Sequence, residues 1–138
     1  MEEINRSLLI MFQLPLKRRF PNLTGIGVVT VPYGGKTAYE DAHAGIDIAN
    51  VKGTPIPSPV DGTVVNTVQG KQQGDSGYGN SVMIKDAVGN KHQLGHLDSV
   101  AVSPGTSIKK GQTTGTMGNS GSAYSLSNRG DGTHLDYR

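Results

Sequence analysis

The segment His43-Ala44-Gly45-Ile46-Asp47 places an imidazole and a carboxylate four residues apart, in a stretch typical of strand and turn. In a fully extended chain the two residues would lie about 13 Å apart, at ~3.3 Å per residue. Two ligands of one tetrahedral metal ion instead need donor atoms about 3.3 Å apart. We therefore expect the chain to bend here, and Gly45 to permit the bend. The simpler alternative is a surface His and a surface Asp that never meet, because short motifs often occur by chance.

Two later segments offer the same kinds of side chain. Thr133-His134-Leu135-Asp136 carries an imidazole and a carboxylate two residues apart, which in a strand puts both on one face. Gln93-Leu94-Gly95-His96-Leu97 supplies another imidazole in a strand-like run. Taken singly, each could be a histidine that caps a turn or an aspartate in an Asx-turn. Together they form a set suited to a catalytic metal centre: His43, Asp47, His96, His134 and Asp136.

The composition favours a small protein built from short strands. The chain has 138 residues, enough for one domain, and its 20 glycines are about twice the usual share of ~7%. Glycines spaced among Val, Ile and Thr predict short strands and tight turns, hence an all-β fold. The clearest runs predict strands near residues 24–32, 59–69, 81–86, 92–97 and 133–138, with shorter strands across 100–118.

Several classes of protein are disfavoured. A net charge of +2 gives no concentrated basic surface for nucleic acid. No cysteine is present for disulfides or thiolate metal sites. The chain contains no run of about 20 apolar residues, so no membrane span is predicted. The short apolar run Leu8-Leu9-Ile10-Met11-Phe12 is followed, not preceded, by basic residues, so no secretory signal is expected.

The first 20 residues are predicted to be a helical and linker segment ahead of a domain over residues 21–138. Ile4, Leu8 and Met11 follow helical spacing within residues 2–13, and Pro15 should end the helix. This helix could pack on the side of the domain, or it could dock a partner chain.

The ordered set of motifs resembles the zinc metallopeptidases of peptidase family M23, the LytM and lysostaphin type, which cut peptide bonds in bacterial peptidoglycan. Their patterns are H-x-x-x-D, a strand ending in H-L, and a final H-x-H. The chain shows His43…Asp47, then His96-Leu97, then His134-Leu135-Asp136. Connecting segments also fit from about residue 25 onward, among them Tyr33-Gly34-Gly35, Gly77-Tyr78-Gly79-Asn80 and Gly118-Asn119-Ser120-Gly121.

The resemblance implies an antiparallel β-sheet core, barrel-sandwich-like, with a groove across it. It implies one Zn²⁺ ion, held by His43, Asp47 and Asp136 with one position left for water, and catalytic histidines at His96 and His134. The implied partner is a peptidoglycan peptide. His92 lies outside the pattern, about 13 Å from His96 in an extended strand, and is expected at the surface.

Asp136 departs from the family pattern, in which the last residue of H-x-H is a zinc-binding histidine. Two carboxylates would formally cancel the charge of a divalent ion, which weakens it as a Lewis acid. The change also admits other divalent metals, such as Mn²⁺. It supports an alternative: a catalytically weakened module that binds peptidoglycan or serves in assembly, for example in a phage tail.

The expected place of action follows from substrate and N-terminus together. A wall-cutting enzyme with no export signal must reach the wall by another route. We therefore expect either a virion-associated protein or lysis protein, as a phage would encode, or a piece of a larger chain that acts at the cell wall or periplasm.

Overall fold

The computed structural model describes residues 23–36, 42–123 and 131–138, which form nine strands and a single-turn 3-10 helix at Thr24–Ile26. The helix predicted over residues 2–13 and the segment 1–20 lie outside these residues. The strands are β1 Val28–Val31, β2 Ile46–Ala49, β3 Pro55–Pro57, β4 Gly62–Val68, β5 Asn80–Asp86, β6 Lys91–Val100, β7 Ser107–Ile108, β8 Thr113–Met117 and β9 Leu135–Tyr137.

The strands pair into one sheet in the order β1-β2-β9-β6-β5-β4-β7, while β8 pairs with both β3 and β6. Every pair of these strands is antiparallel, which confirms the predicted all-β antiparallel fold. The last strand, β9, lies between β2 and β6, far from both in sequence. Its position brings the front, middle and tail motifs of the chain side by side.

The core consists of aliphatic side chains on the inner face of the sheet, with Met117 and Tyr137 among them. Ile84, Leu94 and Leu97 are fully buried on the β5–β6 hairpin. Burying each such side chain contributes roughly 1.5–3 kcal/mol relative to leaving it exposed. The same hairpin carries His96, so core packing fixes the strand on which a predicted site residue lies.

The prediction that His92 is a surface residue is wrong, because His92 is buried. It shares the core-facing side of β6 with Leu94, and both its ring nitrogens have partners, as buried polar groups require. Nδ1 lies 2.8 Å from the Tyr137 hydroxyl and Nε2 lies 3.0 Å from Asp86 Oδ2. Because the Asp86 carboxylate only accepts, a neutral His92 carries its proton on Nε2, and the Tyr137 hydroxyl donates to Nδ1. Burial raises the pKa of Tyr137, so its hydroxyl keeps the proton that it donates.

Within the described ranges, no helix combines the length and apolar character that crossing a membrane requires.

Candidate metal centre

His43 and Asp47 do meet, as the bend in the chain was expected to allow. His43 Nε2 lies 2.9 Å from Asp47 Oδ1, and both side chains are buried. The backbone of His43 is fixed by two hydrogen bonds of 2.7 Å: its N–H donates to the Gly35 carbonyl, and its carbonyl accepts from the Gly34 N–H. Gly34 has a φ of 84°, which favours glycine in this turn. The turn therefore positions His43 before β2 begins.

Glycine is required at position 45 because a larger residue would not fit, and not because the backbone angle is unusual. Its φ is outside the left-handed region, whereas a Cβ at this position would lie 2.4 Å from the Tyr137 carbonyl oxygen and 2.6 Å from Arg138 Cγ. Glycine is therefore needed here because the end of β9 passes directly against the segment between His43 and Asp47.

Asp136 joins the pair through the register of the sheet. It lies opposite Asp47 across the β2–β9 pairing, and directly opposed residues project side by side. Its Oδ1 lies 3.6 Å from His43 Nε2, and the three buried side chains offer donor atoms that all lie within 4.8 Å of one another. The structure therefore brings together the three side chains that were predicted as ligands.

The chemistry of these donors fits a divalent metal. Imidazole nitrogen and carboxylate oxygen are both zinc ligands, and ligands of a tetrahedral zinc ion lie about 3.3 Å apart. The distances from His43 Nε2 to Asp47 and to Asp136, 2.9 and 3.6 Å, bracket that value. Two buried carboxylates in one site also need positive charge nearby, because buried charges are costly unless they are paired.

His96 and His134 lie beside this triad. Their rings are 4.8 Å apart between centroids and tilted by 55°. His96 Nδ1 lies 2.7 Å from the Ser120 carbonyl, and His134 Nδ1 lies 2.8 Å from the Gly132 carbonyl. A carbonyl only accepts, so in each neutral ring Nδ1 carries the proton and Nε2 keeps its lone pair.

Both Nε2 atoms face the carboxylates of the triad. His96 Nε2 lies 3.9 Å from Asp136 Oδ2, and His134 Nε2 lies 3.7 Å from Asp47 Oδ2. The two histidines therefore present basic nitrogens towards the place where a shared ion and its water would sit.

The backbone at His96 is unusual, with a φ of 63°. A non-glycine residue in this region is strained, and such strain persists where the surrounding structure enforces it. Here the His96 N–H donates to the Tyr78 carbonyl at 2.7 Å.

Burial, and then the nearby His134, hold the pKa of His96 below 6.5, against the opposing effects of the Ser120 carbonyl and the two aspartates. His96 is thereby kept neutral near pH 7.

Two further residues at the site were not predicted from the sequence. Arg138 contacts the Asp136 carboxylate, and its position two residues after Asp136 was a usable signal, since i and i+2 share a strand face. Ser120 is buried; its hydroxyl accepts from the Asn80 N–H at 2.9 Å and donates to the Leu97 carbonyl at 2.6 Å. Ser120 belongs to a quoted motif, but nothing in the motif indicated that its carbonyl would hold His96.

Comparisons with known proteins agree with this arrangement. Residues 41–138 match the family described as "Peptidase family M23". The chain is 35% identical over 95 residues to "DD-carboxypeptidase/endopeptidase Mpg" of Neisseria meningitidis serogroup B, an alignment covering 69% of the chain and 19% of that protein. It is 35% identical over 86 residues to "Murein hydrolase activator NlpD" of Salmonella dublin, covering 62% of the chain and 22% of the relative. The chain thus spans about a fifth of the length of each.

A solved structure shows the same fold. It is the catalytic domain, crystallised as a point mutant, of the prophage-encoded M23 protein EnpA from Enterococcus faecalis, with a TM-score of 0.67 and 32% identity, over 85% of this chain and 82% of that one. The family match over most of the chain, together with these similarities, shows that the chain belongs to peptidase family M23.

Proposed function

We propose that this protein is a metal-dependent endopeptidase, with Zn²⁺ as its metal, which hydrolyses peptide bonds in bacterial peptidoglycan. The observation that carries the proposal is the convergence of His43, Asp47 and Asp136 on one point, with His96 and His134 beside them. Membership of family M23 and the similarity to a protein named as an endopeptidase support it.

The three ligands would hold the ion and leave a position open, as catalytic zinc sites do. When bound, the metal supplies a Lewis acid for the scissile carbonyl and lowers the pKa of a water molecule. The donor set of one imidazole and two carboxylates also accepts other divalent ions, such as Mn²⁺.

His96 and His134 would move the protons. Each Nε2 is an acceptor in the neutral ring, because each Nδ1–H is held by a backbone carbonyl. One imidazole would accept the proton of the attacking water, and the other would stabilise the oxyanion or protonate the leaving amine. Burial and the nearby His134 lower the pKa of His96, so its Nε2 is available to accept a proton at pH 7.

The test is digestion of purified peptidoglycan with and without a chelator, together with elemental analysis of the protein. We expect about one divalent metal per chain and loss of digestion on chelation. His96→Ala should lower the hydrolysis rate by about 10²–10⁴-fold while leaving the metal bound. His92→Gln is the matched control, a buried histidine outside the site, and should digest at the wild-type rate below its melting temperature. Hydrolysis by His96→Ala at the wild-type rate would exclude the proposed role of His96.

A second function has its own support. Asp136 replaces a family histidine, and one relative is named a murein hydrolase activator. A module of this fold could bind peptidoglycan, or serve in an assembly such as a phage tail, without cutting. Binding of the wild-type chain to peptidoglycan with no released peptide, in the presence of Zn²⁺ or Mn²⁺, would favour this function.

The place of action we propose is the bacterial cell wall. A prophage-encoded relative supports a phage-linked member. Fractionation of virions and of infected cells, with an antibody against the chain, would test this association.

A further inference from the structure

Arg138 is bound to the third member of the candidate ligand set. Its Nε lies 3.1 Å from Asp136 Oδ1 and 3.3 Å from Oδ2, and Nη2 lies 3.2 Å from Oδ2. The same Nη2 lies 3.5 Å from His43 Nδ1. The guanidinium therefore contacts both carboxylate oxygens of Asp136 and also lies close to the His43 ring.

Three features hold the arginine in this place. Its backbone N–H and carbonyl both bond to Gln93, each at 3.0 Å, which extends the pairing beside β9. Its guanidinium carbon lies 5.1 Å from the centroid of the Tyr78 ring, a cation–π distance. Gly45 leaves room for its side chain, because a Cβ there would lie 2.6 Å from Arg138 Cγ.

The positive charge of Arg138 changes the net charge at the metal centre. A site of one imidazole and two carboxylates carries a formal charge of −2, which cancels a divalent ion. The guanidinium adds +1, so the ligands together with Arg138 carry −1, the same as two histidines and one aspartate. Arg138 thus offsets the charge that Asp136 brings in place of a neutral histidine.

We propose that Arg138 is the counter-ion of Asp136, so that the Asp136–Arg138 pair acts at the metal centre as one neutral third ligand. The inference rests on the proposed metal-dependent function. The carboxylate can serve both partners, because its two oxygens offer about four lone-pair sites and Arg138 makes three contacts.

The proposal predicts that removing Arg138 changes the metal affinity in an unusual direction. Removing a residue that merely supports the structure of a site should weaken metal binding. Removing a counter-ion should tighten it, because the metal then meets two uncompensated carboxylates. Without metal, the same variant should be less stable, since Asp47 and Asp136 lose their neighbouring positive charge.

The experiment measures the dissociation constant for Zn²⁺ alone, by competition with a chromophoric chelator, in full-length wild type and Arg138→Met. Melting temperatures are recorded with and without Zn²⁺. Lys91→Met is the matched control, because it removes one exposed positive charge at the start of β6. Both substitutions are repeated in an Asp136→His background, where the proposed partner of Arg138 is gone.

We expect Arg138→Met to bind Zn²⁺ at least tenfold more tightly, with a lower metal-free melting temperature and a larger stabilisation by Zn²⁺. Lys91→Met should change the affinity by less than twofold, and Arg138→Met should have little effect in the Asp136→His background. Unchanged or weaker binding in Arg138→Met, or an equal gain in the Asp136→His background, overturns the inference while leaving the metal site intact. Failure of the wild type to bind any divalent metal would overturn both the inference and the proposed function.

Discussion

Replacing Gly45 by alanine should disturb the metal centre without touching a ligand. The new Cβ would lie 2.4 Å from the Tyr137 carbonyl oxygen, whereas ordinary contact begins near 3.4 Å, so the end of β9 must retreat by about 1 Å. Asp136 precedes Tyr137 and would move with it, lengthening its 3.6 Å contact with His43 to as much as about 4.6 Å. That separation exceeds the ~3.3 Å between ligands of one zinc ion.

The cost to stability should be that of an overpacked site, about 1–3 kcal/mol. For a domain of this size it corresponds to a fall in melting temperature of roughly 3–15 °C. We also expect at least a tenfold loss of Zn²⁺ affinity. Thermal unfolding followed by circular dichroism and chelator competition measure the two effects.

Gly25→Ala is the matched control, because a Cβ there would meet nothing within 4 Å and no unusual φ is required. Equal melting temperatures and affinities for Gly45→Ala and Gly25→Ala would refute the argument that space decides the choice of glycine at position 45.

Three other substitutions test the framework around the site. Ser120→Ala removes the acceptor of the Asn80 N–H and should cost about 1–3 kcal/mol, measured by urea unfolding. Leu94→Ala empties a fully buried position and should cost about 2–5 kcal/mol in the same assay. The hydrogen bond from His92 holds the pKa of Asp86 below 3.8, so Asp86 adds stability above pH 3.8 that is lost as the pH falls through its lower folded value. Asp86→Asn should therefore melt below wild type at pH 6, and a gap that fails to narrow in acid would contradict this linkage.

The sequence predicted which side chains would converge because its motifs carry chemistry at fixed spacings. The i, i+2 spacing predicted that His134 and Asp136 would share one face, and the H-x-x-x-D spacing indicated a bend. In the structure Asp136 lies beside His43, and His134 lies beside Asp47. The all-β class followed from glycines spaced among β-branched residues, and the antiparallel arrangement from the resemblance to family M23. What places Asp136 opposite Asp47 is the insertion of β9 between β2 and β6, and local patterns do not encode such long-range pairing.

Two of the misses, His92 and Gly45, have a common physical origin, since each depends on a residue distant in sequence. His92 is buried because Tyr137, 45 residues later, accommodates its ring, and the strand period alone could not supply that partner. Gly45 was correctly singled out, but for backbone freedom, whereas the reason is the close approach of β9. Arg138 could have been found from its spacing to Asp136, but the compensation of charge becomes visible only with the site assembled.

The most direct test of the proposed metal centre is anomalous diffraction at the zinc edge from crystals grown with Zn²⁺. We predict one strong peak within about 2.0–2.2 Å of a His43 ring nitrogen and of one oxygen each from Asp47 and Asp136. A peak elsewhere, or one bound without Asp136, would contradict it.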